Sequence, residues 1–285
     1  MKGLIRPVER VVTPRWVLEG AGVRLRRSIG GAELDYLDPF LLLDHFESDN
    51  EEDYIAGFPM HPHRGIETVT YMLAGEVDHR DSLGNAGTIG PGDVQWMTSG
   101  GGIMHEEMPR ARDGHMGGFQ LWVNLPAAHK MTPPRYQGID AGDIPHAQAV
   151  GAATVRVIAG RADGVNGPVG EIVADPTYLD VDVPPGVTFA QPAPADHTAF
   201  AYAFGGDGSF GHGDEPRQVP RLVVFGPGDT VVVAGGSQPF RFLFVAGCPL
   251  GEPIARYGPF VMTTREEIQR ALQDLRDGTF VWRER

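Results

Sequence analysis

The sequence predicts an all-β protein built from two barrel domains, with one short helix near the C-terminus. Three observations lead there. Short runs rich in Val, Thr, Ile and aromatic residues recur, each closed by Gly, Pro or Asp: 66–73 (IETVTYML), 118–125 (GFQLWVNL), 178–183, 222–225, 230–233 and 240–245. No long helical periodicity interrupts them, which argues against alternating βαβ units. One turn signature occurs twice, Gly90-Pro91-Gly92-Asp93 before Val94 and Gly226-Pro227-Gly228-Asp229 before Thr230, and it points to a duplicated β-domain.

The length of 285 residues suits two domains of ordinary size, and 41% hydrophobic residues can fill two cores. The 39 glycines and 24 prolines are spread along the chain, as short strands joined by tight turns require. Residues 127–152 are poor in strand pattern and contain Pro133, Pro134, Gly138 and Pro145. They read as the connection, so the domains are expected at 1–130 and 131–285. The helix is read from Thr264, which with Glu267 completes a capping box. Ile268, Ala271, Leu272 and Leu275 then share a face, and Gly278 ends it. That face should dock on a barrel.

A net charge of -13 makes direct nucleic-acid binding an unsuitable function. Arg24, Arg26 and Arg27 form the local exception and read as a solvated face. With Cys248 as the single cysteine, no disulfide can form within the chain, which fits a reducing compartment. No apolar signal segment opens the chain, and no apolar run approaches the ~20 residues of a membrane span. A soluble, cytoplasmic protein without a membrane partner is expected.

Chemistry concentrates in the part before residue 150, which holds eight of the ten histidines. His61-Pro62-His63 places two imidazoles on one side of an extended segment, because Pro62 biases His61 away from helix. His105-Glu106-Glu107, if extended, turns His105 and Glu107 the same way. Two such pairs on neighbouring strands give three nitrogens and one carboxylate, a set suited to Fe, Mn, Ni or Cu with positions left open. Without thiolates a closed structural zinc site is not expected. Glu67 is a second candidate carboxylate, either a ligand in place of Glu107 or a supporting group. Gly100-Gly101-Gly102 would let backbone approach a ligand closely. No G-K-[ST] follows it, so it is no phosphate loop, and no G-x-S-x-G elbow marks a hydrolase.

Residues 61–109 (HPHRGIETVTYMLAGEVDHRDSLGNAGTIGPGDVQWMTSGGGIMHEEMP) closely resemble the pirin family. So do 37–46 (LDPFLLLDHF), 118–126 (GFQLWVNLP) and 258–268 (GPFVMTTREEI). The resemblance implies two cupin-type (jelly-roll) β-barrels packed together. The N-terminal barrel would hold one non-haem iron on His61, His63, His105 and Glu107, with Glu67 outside the ligand set. The C-terminal barrel would be degenerate, since 191–204 offers His197 and no H-x-H. The implied activity is that of a quercetin 2,3-dioxygenase, cleaving flavonols with O2 and releasing CO. Fe(2+) is the implied cofactor, and Mn, Ni, Cu or Zn would satisfy the same donors. Glu107 would take the proton of the flavonol 3-hydroxyl. Phe58, Met60, Trp96 and Met97 are candidate apolar walls. The alternative is an iron-dependent, redox-sensing regulatory protein that modulates a transcription factor or a metabolic enzyme. Its local motivation is Arg24 to Arg27 beside Ser28-Ile29-Gly30. The next basic position of the family falls in 31–36, where this chain carries Glu33 and Asp35.

Overall fold

The structure, a computed structural model, describes residues 3–110, 114–148, 153–211 and 219–283. The chain divides into two compact units, and neither is contiguous in sequence. One joins Arg15–Ala141 to Leu250–Arg285; the other joins Met1–Pro14 to Gly142–Pro249. The expected division at 130/131 therefore departs from the observed one at both ends. Strand β1 (Val8–Val12) pairs antiparallel with Arg221–Phe225, late in the chain. The C-terminal helix belongs with residues 15–141.

The unit containing residues 15–141 is built from strands β2 (Arg15–Glu19), β3 (Val23–Ile29), β4 (Phe40–Ser48), β5 (Phe58–His63), β6 (Ile66–Ala74), β7 (Glu76–Asp81), β8 (Ala86–Ile89), β9 (Val94–Thr98), β10 (Ile103–Arg110), β11 (Met116–Asn124) and β12 (Arg135–Ile139). They form a seven-stranded sheet, β12-β9-β6-β11-β4-β3-β2, and a four-stranded sheet, β5-β10-β7-β8. Leu25, Met72, Val77, Ile89 and Met116 from both sheets pack together in the interior. Because side chains alternate along a strand, Met72 fixes the orientation of β6: Thr68 and Thr70 face inward with it, and Glu67, Val69 and Tyr71 face the other way. Strand β12 lies in the stretch read as a plain connection. Among the described residues it pairs only with β9, at the sheet edge, where Gly138 within it and Pro133 and Pro134 just before it are tolerated.

The other unit carries a seven-stranded sheet that runs in space from β1 through Arg221–Phe225, Thr198–Gly205, Phe240–Gly247, Thr177–Val183 and Thr154–Ala159 to His146–Gln148. A three-stranded sheet of Thr188–Pro192, Thr230–Gly235 and Gly208–Phe210 accompanies it. Its core is filled by aromatic rings from Phe189, Phe210, Phe240, Phe242 and Phe244 together with valines and alanines. Arg6 is buried in this unit and donates to the carbonyls of Gly226, Pro194 and His197.

The returning C-terminal segment adds a hairpin, Ala255–Tyr257 with Phe260–Met262, and helix α1 (Arg265–Arg276). The capping box forms as read from the sequence: Glu267 N–H donates to Thr264 Oγ1 at 3.2 Å, and Thr264 N–H donates to Glu267 Oε2 at 2.9 Å. Ile268 and Ala271 are buried against Phe260, Met262 and Phe280, with Leu272 at the margin. Leu275 lies outside this contact and is 37% exposed. The glycine triplet is approached closely by the protein's own backbone. A Cβ on Gly100 would collide with the Thr132 carbonyl, and one on Gly102 with the Phe280 carbonyl. Among the described residues, no helix is long and apolar enough to cross a membrane.

Two buried cations tie this segment to the turn after β5. Lys130 Nζ donates to Gly65 O (2.9 Å), Asn124 Oδ1 (2.5 Å) and Val261 O (2.8 Å). Arg64 donates to Asp274 Oδ2 (2.7 Å) and Phe280 O (3.1 Å), and its guanidinium lies 4.5 Å over the Phe280 ring. Replacing Lys130 by methionine keeps the aliphatic bulk but leaves three acceptors without their donor. Lys130→Met should therefore lower stability by about 3 kcal/mol, read as a shift of the urea midpoint at unchanged slope. A midpoint equal to that of the wild type would show that the ammonium does not hold these segments.

Candidate metal centre

The centre starts from one antiparallel register. On β5 and β10, His61 lies opposite His105 and Ile103 opposite His63. A β-bulge then shifts the pairing, so that Phe58 comes opposite Glu107. The extra residue changes the alternation of β5 once. Phe58, three residues before His61, thus shares the inward face, while Met60 turns outward and is 47% exposed. On the far side of β10, Asp81 lies opposite His105 and His79 opposite Glu107.

His61, His63 and His105 converge. Their candidate ligand nitrogens all lie within 4.8 Å of one another, the only such group among the described residues. Ring centroids stand 4.3 Å apart for His61 and His105, 4.8 Å for His61 and His63, and 4.9 Å for His63 and His105. His61 Nδ1–H donates to the Pro59 carbonyl at 2.9 Å, which leaves Nε2 as the lone-pair nitrogen. That Nε2 faces His63 Nε2 at 3.0 Å. Two imidazole lone pairs repel at that separation unless a proton or a cation lies between them. Both ring nitrogens of His105 are buried with no hydrogen-bond partner, a cost of about 1–3 kcal/mol for each unmet group. Burial pushes all three imidazoles below their ordinary pKa, and the neighbouring histidines add to this at His63 and His105. Neutral imidazole is the form that ligates a metal. The donor set therefore fits a divalent ion.

Glu107 is buried on the same face but outside the three-nitrogen group. Its Oε1 accepts from Thr70 Oγ1 at 2.7 Å. Burial pushes this carboxyl upward, and the Thr70 hydroxyl partly offsets the shift. Glu67 is on the opposite face of β6 and accepts from Thr98 Oγ1 at 2.7 Å. An inward-facing ligand role for Glu67 is thereby removed. A fourth histidine escaped the sequence reading. His79 is buried, its ring is 5.5 Å from that of His105, and it stacks on Tyr136 of β12 at 5.1 Å. The alternation of His79-Arg80-Asp81 on a strand next to β10 was the available signal.

A cavity of about 530 Å³ opens on this group. His61, His63 and Glu107 line one part; Phe58, Leu25, Leu42 and Trp122 supply apolar wall; Arg27, Asp44 and Arg256 supply charge. The volume falls in the range of sites for small organic ligands. Of the four wall candidates, Phe58 lines the cavity. Trp96 and Met97 are fully buried in β9 and do not line it, and Met60 points outward.

Residues 22–123 match the family description "Pirin", and residues 178–281 match "Pirin C-terminal cupin domain". The chain belongs to the pirin family. It is 45% identical to a pirin-like protein of Caulobacter vibrioides, over 97% of this chain and 99% of that protein. It is 44% identical to human pirin, over 96% of this chain and 94% of that protein. The crystal structure of quercetin 2,3-dioxygenase from Acinetobacter baumannii superposes with a TM-score of 0.86 at 33% identity, covering 97% of this chain and 98% of that one. The pirin fold therefore extends over both units.

In this pirin-family chain Arg27 is not part of a solvated face. It forms a bidentate pair with Asp44 at 2.8 and 2.7 Å and also reaches Glu19 at 2.6 Å. Arg24 and Arg26 do face outward, near Asp53 at 3.6 Å and Glu47 at 3.3 Å, and each guanidinium lies over the Trp16 ring, at 4.1 and 4.4 Å. Their charge is thus locally balanced. Burial pushes the Asp44 carboxyl up to about 6, even with Arg27 opposite. An unfolded Asp titrates near 3.9, so between those values the folded protein binds more protons, and stability due to Asp44 falls as pH rises. The stability of the wild type relative to Asp44→Asn should drop by roughly 2–3 kcal/mol from pH 4 to pH 7, with most of the change below about pH 6. Urea unfolding of both proteins across that range measures it; a flat difference would contradict the burial of an ionised Asp44.

Proposed function

We propose that this protein is a metal-dependent dioxygenase that cleaves flavonols such as quercetin, with one divalent ion, iron(II), held by His61, His63, His105 and Glu107. The observation that carries this reading is the convergence of three neutral imidazoles at the wall of an apolar-sided cavity large enough for a small aromatic molecule. The similarity to a quercetin 2,3-dioxygenase of known structure supports the substrate class. The bound ion would supply Lewis acidity and open positions for substrate and O2.

The chain's own residues do the rest. Phe58 and Trp122 offer flat apolar surface to a planar ring, and Leu25 and Leu42 keep water from it. The ring of Trp122 stands edge-on to His63 at 5.1 Å, so a ligand lying along it is guided towards the histidines. Glu107 accepts the proton of the flavonol 3-hydroxyl, the role its position and raised affinity for a proton suit. Thr70, donating to Oε1, fixes the carboxylate and leaves Oε2 available.

Protein purified with its metal should bleach quercetin in air over many turnovers, with release of CO. His105→Ala should bring metal content, measured by atomic emission, close to zero and abolish bleaching. Glu107→Gln should retain more metal than His105→Ala yet lose turnover by about 100-fold or more, the usual contribution of a positioned base. Undiminished bleaching by metal-free protein would end this reading.

A further inference from the structure

We infer that Arg256 is a specificity determinant, selecting planar aromatic ligands that carry a negative charge at the edge remote from the histidines. The inference rests on the reading that the cavity receives a planar aromatic molecule. It goes further in assigning charge to the ligand, which quercetin does not require.

Arg256 comes from the returning C-terminal hairpin and lines the same cavity as His63 and Trp122. Its guanidinium lies over the Trp122 ring, 5.1 Å from the centroid. The Trp122 ring in turn meets His63 edge-on at 5.1 Å. Arg256 thus stands one indole away from the histidine group. A planar ligand that follows the indole with its reactive end at His61 and His63 brings its other end to this guanidinium.

The charges of the cavity decide what that end should be. Arg27 is engaged by Asp44 at 2.7 Å and Glu19 at 2.6 Å, so it offers little to a ligand. Arg256 makes no ion pair among the described residues, and the hydrogen bond it forms is Nη1–H to the Leu41 carbonyl at 3.3 Å. Asp35, Asp44 and Glu19 attract it from farther away, and Arg27 repels it. A guanidinium carries five N–H donors in a fixed fork that matches a carboxylate. Trp122 beneath it keeps that fork from being fully hydrated. A neutral flavonol leaves these donors to water, whereas an aromatic carboxylate satisfies them.

The test is isothermal titration of metal-loaded protein under anaerobic conditions, so that nothing turns over. Three probes are used: 3-hydroxyflavone, 3-hydroxyflavone-4′-carboxylate, and 2-naphthoate, an aromatic acid that is no flavonol. The carboxylated flavone should bind the wild type about tenfold tighter than the neutral one, as a partly exposed charge-assisted pair allows. Arg256→Gln should erase that preference, keep its metal content, and weaken 2-naphthoate. Arg256→Lys should restore part of it. Equal affinity of the wild type for the two flavones, or a preference that survives in Arg256→Gln, overturns the inference while leaving the flavonol reading in place. Binding of 2-naphthoate that depends on Arg256, with neither flavone bound, sustains the inference and overturns the flavonol reading instead.

Discussion

The antiparallel register of β5 with β10 is the constraint from which the rest of the centre follows. It sets His105 opposite His61, and alternation then brings His63 to the same face. A slip of one residue would turn every one of these side chains to the opposite face. The bulge between His105 and Glu107 fixes that register on one side and brings Phe58 inward on the other. Thr70 on the facing sheet meets Glu107 and makes the same alignment count across the barrel interior. The three imidazoles are thus placed by backbone pairing, and no contact among the side chains themselves has to hold them together.

Charge buried nearby reinforces that placement. Lys130 is one of two lysines in the chain, and it is buried where three acceptors converge. A compact ammonium with three donors fits three carbonyl-type oxygens arranged around it, a geometry the planar arginine fork does not match. Arg64 follows His63 directly and uses that fork on Asp274 and Phe280. The strand that carries His61 and His63 is therefore anchored at its end to residues far away in sequence. Leaving either cation without its acceptors would strand a charge away from water.

Six of the strands were legible in the sequence, because Val, Ile, Thr and aromatic runs bounded by Gly, Pro or Asp carry a local signal. The helix was legible to its cap, since Thr264 and Glu267 act within one turn. The H-x-H and H-x-E pairs were legible as pairs, since alternation along a strand is a local rule. What could not be read was anything set by pairing between distant strands. The face of Glu67, the inward turn of Phe58 and the approach of His79 to His105 all depend on register or on a bulge that no local pattern announces. Trp96 and Met97 looked like wall residues because they are near in sequence, yet both are fully buried in β9. Arg27 looked solvated beside Arg24 and Arg26, but alternation and its pair with Asp44 turn it inward. Strand β12 was hidden by prolines and a glycine that only a sheet edge accommodates.

The exchange of chain ends between the two units has a consequence for synthesis. Domains commonly fold one after another as the chain leaves the ribosome, the N-terminal one first. Here the histidine-bearing unit lacks Arg256, the helix and the acceptors of Arg64 until residues 250–283 have emerged. Its strands β2 to β12 are all made early, but the hairpin and helix that pack in the same unit follow only after the whole of the other unit has been made. Cutting the gene near codon 130 would free neither half intact. Each product would lack a piece encoded at the opposite end, and a chain released too early lacks the hairpin and helix that complete its histidine-bearing unit.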